Sequence, residues 1–562
     1  MTQKHSHHLL LTSELLQTID PKLIAEDDLR SSVETLLNLI EELYQKVKKL
    51  EKENQLLKDE NNRLKGEQGK PDIKAKKKRN KNQNYSSEKE RKITQTRGKN
   101  SKNENIKIDR EEILDYDEEE LPDDVIFKGY EEVIIQDIKL VTDNIKFRKK
   151  KYYSPSTKKT YLSKLPSGYE GQFGPGIKSL VISLYYGGNM TQKKVSEFLS
   201  NLGISISTGQ ISNILIKNHN GFSQEHKEVY DAGLASTPWQ HFDQTAARVG
   251  GENQTTNVIC NPLYSSYLTT EKKDRLNVIK SLIPNHSLKF IFNEESAELL
   301  AGFGLPTKWQ NAVQKLPQKT VLNEEEIDNL LEKHLTGIGK LQRNRIKEAS
   351  AIAYYHQQND YPIIKTLICD DAPQFKLLTE ELSLCWVHEG RHYKKLNPLI
   401  GYHQKILTKF LDDFWDYYRK LLKYRESPNE EMARKLKSEF ERIFSCPSGY
   451  EELDLRKELT RGKMKELLLV LEHPELPLHN NPAELAARTM VRRRHISYGT
   501  QTELGTKAWD TFMSLVDTTR KLGISFFEYV ADRISEGRKI PPLATIIEEK
   551  SSLHFWGESW QV

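Results

Sequence analysis

The sequence predicts an α/β protein of several domains, in which a zipper-like helix and a helix-turn-helix precede a region of alternating strands and helices. Three observations carry this. Leucines recur every seven residues over 29–66, and residues 176–217 read helix, glycine-containing turn, helix. From about residue 237, short strand-like apolar runs alternate with amphipathic stretches.

The chain has 562 residues, enough for three or four domains of about 100–200 residues. Apolar residues are 36% and charged residues 29%, so a sizeable core coexists with much solvated surface. The net charge of +5 hides strong segregation along the chain. Cys260, Cys369, Cys385 and Cys446 include no CxxC pair and suggest no disulfide framework. The opening MTQKHSHHLLLTSELL lacks a basic segment followed by a long apolar run, and no apolar stretch approaches about 18 residues. These features predict a soluble cytoplasmic protein.

Residues 1–28 are read as a tail. Over 29–66, Val33, Ile40, Val47, Asn54 and Asn61 fall at heptad position a, and Leu36, Leu43, Leu50, Leu57 and Leu64 at d. β-Branched a with leucine d favours a parallel two-stranded coil, and asparagine at a fixes register. The expectation is a homodimer through 29–66; the alternative is an amphipathic helix packed on its own chain. A linker over 67–124 is first basic, then acidic. Residues 70–110 carry fifteen Lys/Arg, including Lys76, Lys77, Lys78, Arg79 and Lys81, against five Asp/Glu. With little to bury, this segment is expected to be disordered, and its cations are candidates for neutralising DNA phosphates. Residues 109–124 hold ten Asp/Glu and one Arg, as a solvated boundary or a mask for the basic arm.

Alternation such as VIIQDIKLV predicts a small β-rich module over 125–172. Over 173–235, GIKSLVISLYY reads as one helix. Thr191 can cap a second, and Ser207 or Thr208 a third after the turn NLGIS. The second helix of such a pair can enter a major groove; an ordinary helical hairpin shares the same cues. Next come three strands (WQHFDQT, QTTNVIC, YSSYLTT), helices over about 285–360, the strand-length run IIKTLIC and a helical stretch over about 395–472. A final helical block reaches residue 536, and 537–562 are read as a tail.

Two aspartates end or interrupt strand-like runs, Asp243 in WQHFDQT and Asp370 in TLICDDAPQF, and Glu484 opens the helical run HNNPAELAARTMVRRRH. Phosphoryl transfer gives a reason to want three such carboxylates. Two divalent ions about 3.5–4 Å apart stabilise the attacking and leaving oxygens of an in-line displacement. Mg²⁺ takes oxygen ligands and keeps several waters, so few carboxylates suffice. Alone, each carboxylate is as well read as a turn or cap. Asn480, Asn481 and Pro482 mark a helix start before Glu484, and Arg488, Arg492, Arg493 and Arg494 follow it. That run suits phosphate contact, or else a helix laced with ion pairs.

From about 125 to 535 the chain resembles bacterial transposases of the insertion-sequence-66 type. The resemblance is carried by GPGIKSLVISLYYGGNMTQKKVSEFL with GISISTGQISNIL, by HFDQT, by LICDDAPQF followed by LCWVHEGRHYKKL, and by LPLHNNPAELAARTMVRRRHISYGTQTELG. It implies a ribonuclease-H-like catalytic domain over 236–536, with helical insertions at about 285–360 and 395–472. It implies Asp243, Asp370 and Glu484 as a triad holding two Mg²⁺ or Mn²⁺ ions. It further implies cleavage and strand transfer of double-stranded DNA at element ends, on the bacterial nucleoid, with accessory proteins of the same element as further partners. Asp370 and Glu484 are 114 residues apart, which leaves room for the second insertion.

The chain departs from the family pattern. Gln244 replaces an acidic residue after the first Asp. Asp371 is a second candidate beside Asp370, which is preferred because it directly ends the apolar run. KYYSPSTKKTYL has Ser and Thr where a zinc ribbon would have cysteines, so that module is expected to lack zinc. His388 and Arg391 are candidate supports of the site.

Two competing readings exist. His388-Glu389-Gly390-Arg391-His392 matches HExxH, the zinc-protease pattern. Zipper, basic arm and helix-turn-helix could also serve a dimeric DNA-binding protein that has lost catalysis, although all three triad positions are acidic here.

Overall fold

The computed structural model describes residues 16–64, 107–114, 129–169, 171–284 and 286–553. The basic cluster Lys76–Arg79 lies outside the described residues, as does most of the acidic stretch.

Helix α1 (Asp27–Leu64) takes in the whole heptad segment. Its first half docks on its own chain. Leu37, and behind it Val33, join Leu16, Ile400 and Tyr402 in a small core. Glu41 is buried and accepts from the backbone N–H groups of Leu399 (2.7 Å) and Ile400 (3.2 Å), with His403 Nδ1 at 3.4 Å. The Asn38 amide bonds Gly449 O and accepts from Glu451 N. The leucines of the heptad frame, Leu36, Leu43, Leu50, Leu57 and Leu64, stay exposed along with Ile40 and Val47. The helix thus follows the alternative reading, packing on its own chain through Val33, Leu37 and Glu41, while the heptad leucines stay exposed.

Of the expected β-rich module, the described residues contain one hairpin, β1 (Lys151–Ser154) paired antiparallel with β2 (Lys159–Leu162). Residues 129–150 form no strand. GIKSLVISLYY is not one helix: α2 (Pro175–Ile182) passes into a π-turn over Ser183–Gly187. Thr191 caps α3 (Gln192–Asn201) and Ser207 caps α4 (Thr208–Ile216), each through its hydroxyl to a backbone N–H. Gly203, at φ +78°, makes the turn between them, where a side chain would be strained. Helix α5 (Asn220–Ala235) leads into the sheet.

Strands β3 (Trp239–Val249), β4 (Glu252–Cys260), β5 (Ser265–Thr270), β6 (Thr366–Cys369) and β7 (Glu381–Leu384) form a mixed sheet in the order β5-β4-β3-β6-β7. β3, β4 and β5 run as an antiparallel meander; β6 is parallel to β3, and β7 to β6. Gly250 and Gly251, at φ +57° and +88°, close the β3–β4 hairpin, as a two-residue primed turn requires. Helices α6 (Arg275–Leu282), α7 (Glu294–Gly302), α8 (Thr307–Val313), α9 (Glu324–His334) and α10 (Lys340–Gln357) fill the long β5–β6 connection and share the main core. After β7 come α11 (Trp386–Lys395), α12 (Gly401–Glu426), α13 (Glu430–Ser445), α14 (Glu451–Arg461) and the single turn α15 (Met464–Leu467). They build a second core rich in aromatics around Trp386, Tyr393, Phe414 and Phe440.

The chain then returns to the sheet. Helix α16 (Asn481–Ser497) crosses β3 and β4, and α17 (Glu503–Leu522) lies along β5. Three side chains one turn apart on α17 take the N–H groups of β5's free edge. Thr269 N donates to Asp510 Oδ2 (2.7 Å), Tyr267 N to Ser514 Oγ (2.9 Å) and Ser265 N to Thr518 Oγ1 (3.2 Å). Helix α18 (Phe526–Ile534) packs on α2, and α19 (Leu543–Leu553) packs on α5 with Leu543 and Ile547 buried. The last segment is therefore not wholly the tail expected over 537–562.

Removing the Glu41 carboxylate strands the buried N–H of Ile400 and the half-buried N–H of Leu399. Glu41→Ala is expected to destabilise the protein by about 1–3 kcal/mol, measured as a lower urea midpoint at unchanged slope.

Candidate active site

The sheet register brings the two aspartates together. His241 pairs with Ile368 across β3 and β6. Two residues further on, Asp243 and Asp370 stand at the same level of neighbouring parallel strands, on the same face. Asp370 directly follows β6, and its Oδ1 accepts from Ala372 N at 3.3 Å. Asp243 Oδ1 accepts from Gln244 N at 2.7 Å.

Glu484 arrives from the first turn of α16, and Asn480 positions that turn. The buried Asn480 amide donates to Phe242 O (2.7 Å) and accepts at Oδ1 from His241 Nδ1 (3.0 Å). Its backbone N–H points at Cys385 Sγ (3.3 Å). One residue thus ties the start of α16 to β3 and to the start of α11. Burial drives His241 down to about 3, so its ring is neutral and can donate from Nδ1 while accepting at the other nitrogen. Sequence reasoning read Asn480 only as part of a helix start. The doubled asparagine before Pro-Ala-Glu was the available signal.

Burial, reinforced by Asp370 and Glu484, pushes the Asp243 carboxyl up to about 6, against the opposing pull of Gln244 N–H and Lys273. Asp243 therefore feels both of the other acids, although they lie in separate parts of the sequence. Glu484 is nearly buried and carries two guanidinium partners, Arg391 Nη2 at 3.1 Å and Arg488 Nη2 at 3.6 Å, with His388 Nε2 at 3.6 Å. Arg391 also donates to His388 Nε2 at 3.0 Å. His388 and Arg391, the candidate supports, thus both stand at the Glu484 carboxylate.

The neighbouring acids are engaged differently. Asp371 faces Lys463 (2.6 Å) and Lys376 (3.2 Å). Although burial pushes its carboxyl up, these ammonium groups hold it below the ordinary range. Glu389 is buried among Arg456, Thr460 (2.5 Å) and Lys463 (3.1 Å). Its carboxylate is consumed there, which leaves the HExxH motif without an available base. Among the described residues, His388 joins Cys385 and Glu484 in a potential metal-ligand group that does not contain His392.

The arginine run divides. Arg488 and Arg492 are exposed, and Arg494 is half-buried. Arg493 is fully buried: its guanidinium lies 3.8 Å from the Tyr185 ring centroid and 5.4 Å from that of Trp509, and donates to Met190 O at 3.2 Å. A guanidinium enclosed in this way cannot reach a phosphate, which corrects its place among the DNA-contact candidates. It joins α16 to the segment before α3.

At neutral pH the Asp243 carboxylate is ionised against its surroundings, so Asp243→Asn is expected to stabilise the ion-free protein by about 1–3 kcal/mol. The sign follows from a raised folded-state pKa. The wild type loses this stability as pH rises from about 4 to 6, so the advantage of Asn should fade as pH is lowered through that window. Thermal melts of both proteins at pH 4.5 and 7.5 measure this.

A family model described as "Transposase IS66 family" matches residues 350–508, which contain β6, Asp370, the second helical insertion and Glu484. The uncharacterised protein y4jO of Sinorhizobium fredii (strain NBRC 101917 / NGR234) is 31% identical over 325 residues, covering 57% of this chain and 99% of its own length. The two aspartates, the glutamate and the helices between them thus lie in a chain that belongs to the IS66 family of transposases.

Proposed function

We propose that this transposase cleaves and joins DNA with a ribonuclease-H-like core in which Asp243, Asp370 and Glu484 are the catalytic carboxylates. The carrying observation is their placement: Asp243 and Asp370 on adjacent strands, and Glu484 on a turn fixed by Asn480, near enough that its charge and that of Asp370 raise the Asp243 carboxyl. The strand order β5-β4-β3-β6-β7, an antiparallel meander extended by two parallel strands, supports the ribonuclease-H-like assignment. The donor set fits hard divalent cations, since clustered carboxylates repel one another without them. Asp243, Asp370 and Glu484 would hold two Mg²⁺ or Mn²⁺ ions, which when bound polarise the phosphodiester and its nucleophile.

The chain's own residues set up the rest. Arg391 and Arg488 neutralise Glu484 in the resting site. Exposed Arg488 and Arg492 lie beyond the carboxylate, where a DNA backbone entering the site would meet them. Lys463 and Lys376 hold Asp371 out of the triad, which favours Asp370 as the second ligand. Helix α4 is the element to enter a major groove at the element end, and the basic arm adds sequence-independent affinity. The exposed heptad leucines of α1 pair two copies. In this reading, water is the first nucleophile, and the freed 3′-hydroxyl then attacks target DNA.

Strand transfer of a labelled element end in Mg²⁺ tests the core of this reading. Asp243→Ala, Asp370→Ala and Glu484→Ala should each lose roughly a hundredfold to a thousandfold or more, with Asp371→Ala far less affected. Full transfer by any of the first three folded variants would refute the triad. For assembly, the wild type should sediment as a dimer and Leu43→Glu/Leu50→Glu as a monomer; a monomeric wild type at micromolar concentration would refute the zipper.

A further inference from the structure

We propose that Cys385, His388 and Glu484 form a site for one thiolate-preferring divalent ion of the zinc class, at the place where the Arg391 guanidinium stands. Each residue offers one donor atom, and the three atoms lie within 4.8 Å of one another. Tetrahedral zinc holds such donors about 3.3–3.7 Å apart. His388 Nε2 and Glu484 Oε1 are already separated by 3.6 Å, so the remaining closure falls largely to the sulfur.

The sulfur lies where a bound cation would meet it at a helix start. Cys385 is buried at the N-terminus of α11 and receives the backbone N–H of Asn480 at 3.3 Å. An amide donor on sulfur, at the positive end of a helix, favours a thiolate over a thiol. Burial outweighs these effects and pushes the thiol up, so the thiolate forms only with a cation beside it.

The imidazole supplies a second, independent sign. Arg391 donates to His388 Nε2 at 3.0 Å, so that nitrogen presents its lone pair to a cationic group that also binds Glu484 at 3.1 Å. The guanidinium stands in for a metal cation. Its side chain is 43% exposed and has room to swing into solvent. The exchange conserves charge: a divalent ion enters, the thiol releases its proton to solvent, and one positive charge leaves with Arg391. Sulfur and imidazole select the zinc class over Mg²⁺, which keeps this site chemically apart from the carboxylate pair Asp243 and Asp370. Glu484 is common to both sites, but the proposal does not depend on the catalytic reading.

Titration of the chelator-stripped full-length protein with Co²⁺ tests the site directly. One equivalent should produce a thiolate-to-cobalt charge-transfer absorption that Zn²⁺ abolishes and excess Mg²⁺ does not. The band should vanish in Cys385→Ser, and His388→Ala should weaken Co²⁺ binding by about tenfold to a hundredfold. Asp243→Asn should keep the band. Circular dichroism checks folding, and if Cys385→Ser does not fold, His388→Ala and Glu484→Gln carry the test. Absence of the band in folded wild type, its loss in Asp243→Asn, or unchanged affinity in His388→Ala overturns the proposal. A wild type that shows the band but performs no strand transfer sinks the catalytic reading and leaves this site standing.

Discussion

Asn480 is one buried amide on which the rest of the site geometry depends. Its side chain satisfies Phe242 O and His241 Nδ1 on β3, and its backbone N–H reaches Cys385 at the start of α11. Three elements meet there that the sequence separates by long insertions. A buried amide left unpaired is costly, so the arrangement is narrow in the geometry it tolerates. Glu484 lies four residues on, one helical turn away, and its direction toward Asp243 follows from where that turn is pinned.

Electrostatics sorts the carboxylates into two populations. Asp371 and Glu389 are closed off by Lys376, Lys463 and Arg456, and belong to the mechanical joint between sheet and insertion. Glu484 is met by Arg391 and Arg488, whereas Asp243 has no ion pair among the described residues and its carboxyl is pushed up by burial and by the charges of Asp370 and Glu484. Lys463 bridges Asp371 and Glu389, linking strand end, α11 and α14 in one ion cluster that carries the insertion next to the site.

Much of this was legible in the sequence. The strands β3, β4, β5 and β6 follow from β-branched and aromatic runs bounded by Gly/Asn turns, and the caps Thr191 and Ser207 from hydroxyls before helical periodicity. Strand β7 was not legible, because ELSL is four residues long and gains its conformation from pairing with β6. The π-turn after α2 depends on packing, which periodicity does not encode. Arg493 looked like its exposed neighbours because burial beneath Tyr185 and Trp509 is a tertiary fact. Likewise, the side of α1 that docks through Leu37 and Glu41 lies outside the heptad frame, and its partner surface is some 360 residues away.

The ladder from α17 to β5 has a consequence for how this molecule can associate. Four helical residues rise about 6.0 Å and two strand residues about 6.7 Å, so Asp510, Ser514 and Thr518 keep step with Thr269, Tyr267 and Ser265. Side chains thereby occupy the amides that an incoming strand would need. That margin of the sheet cannot template a foreign peptide or a sister chain.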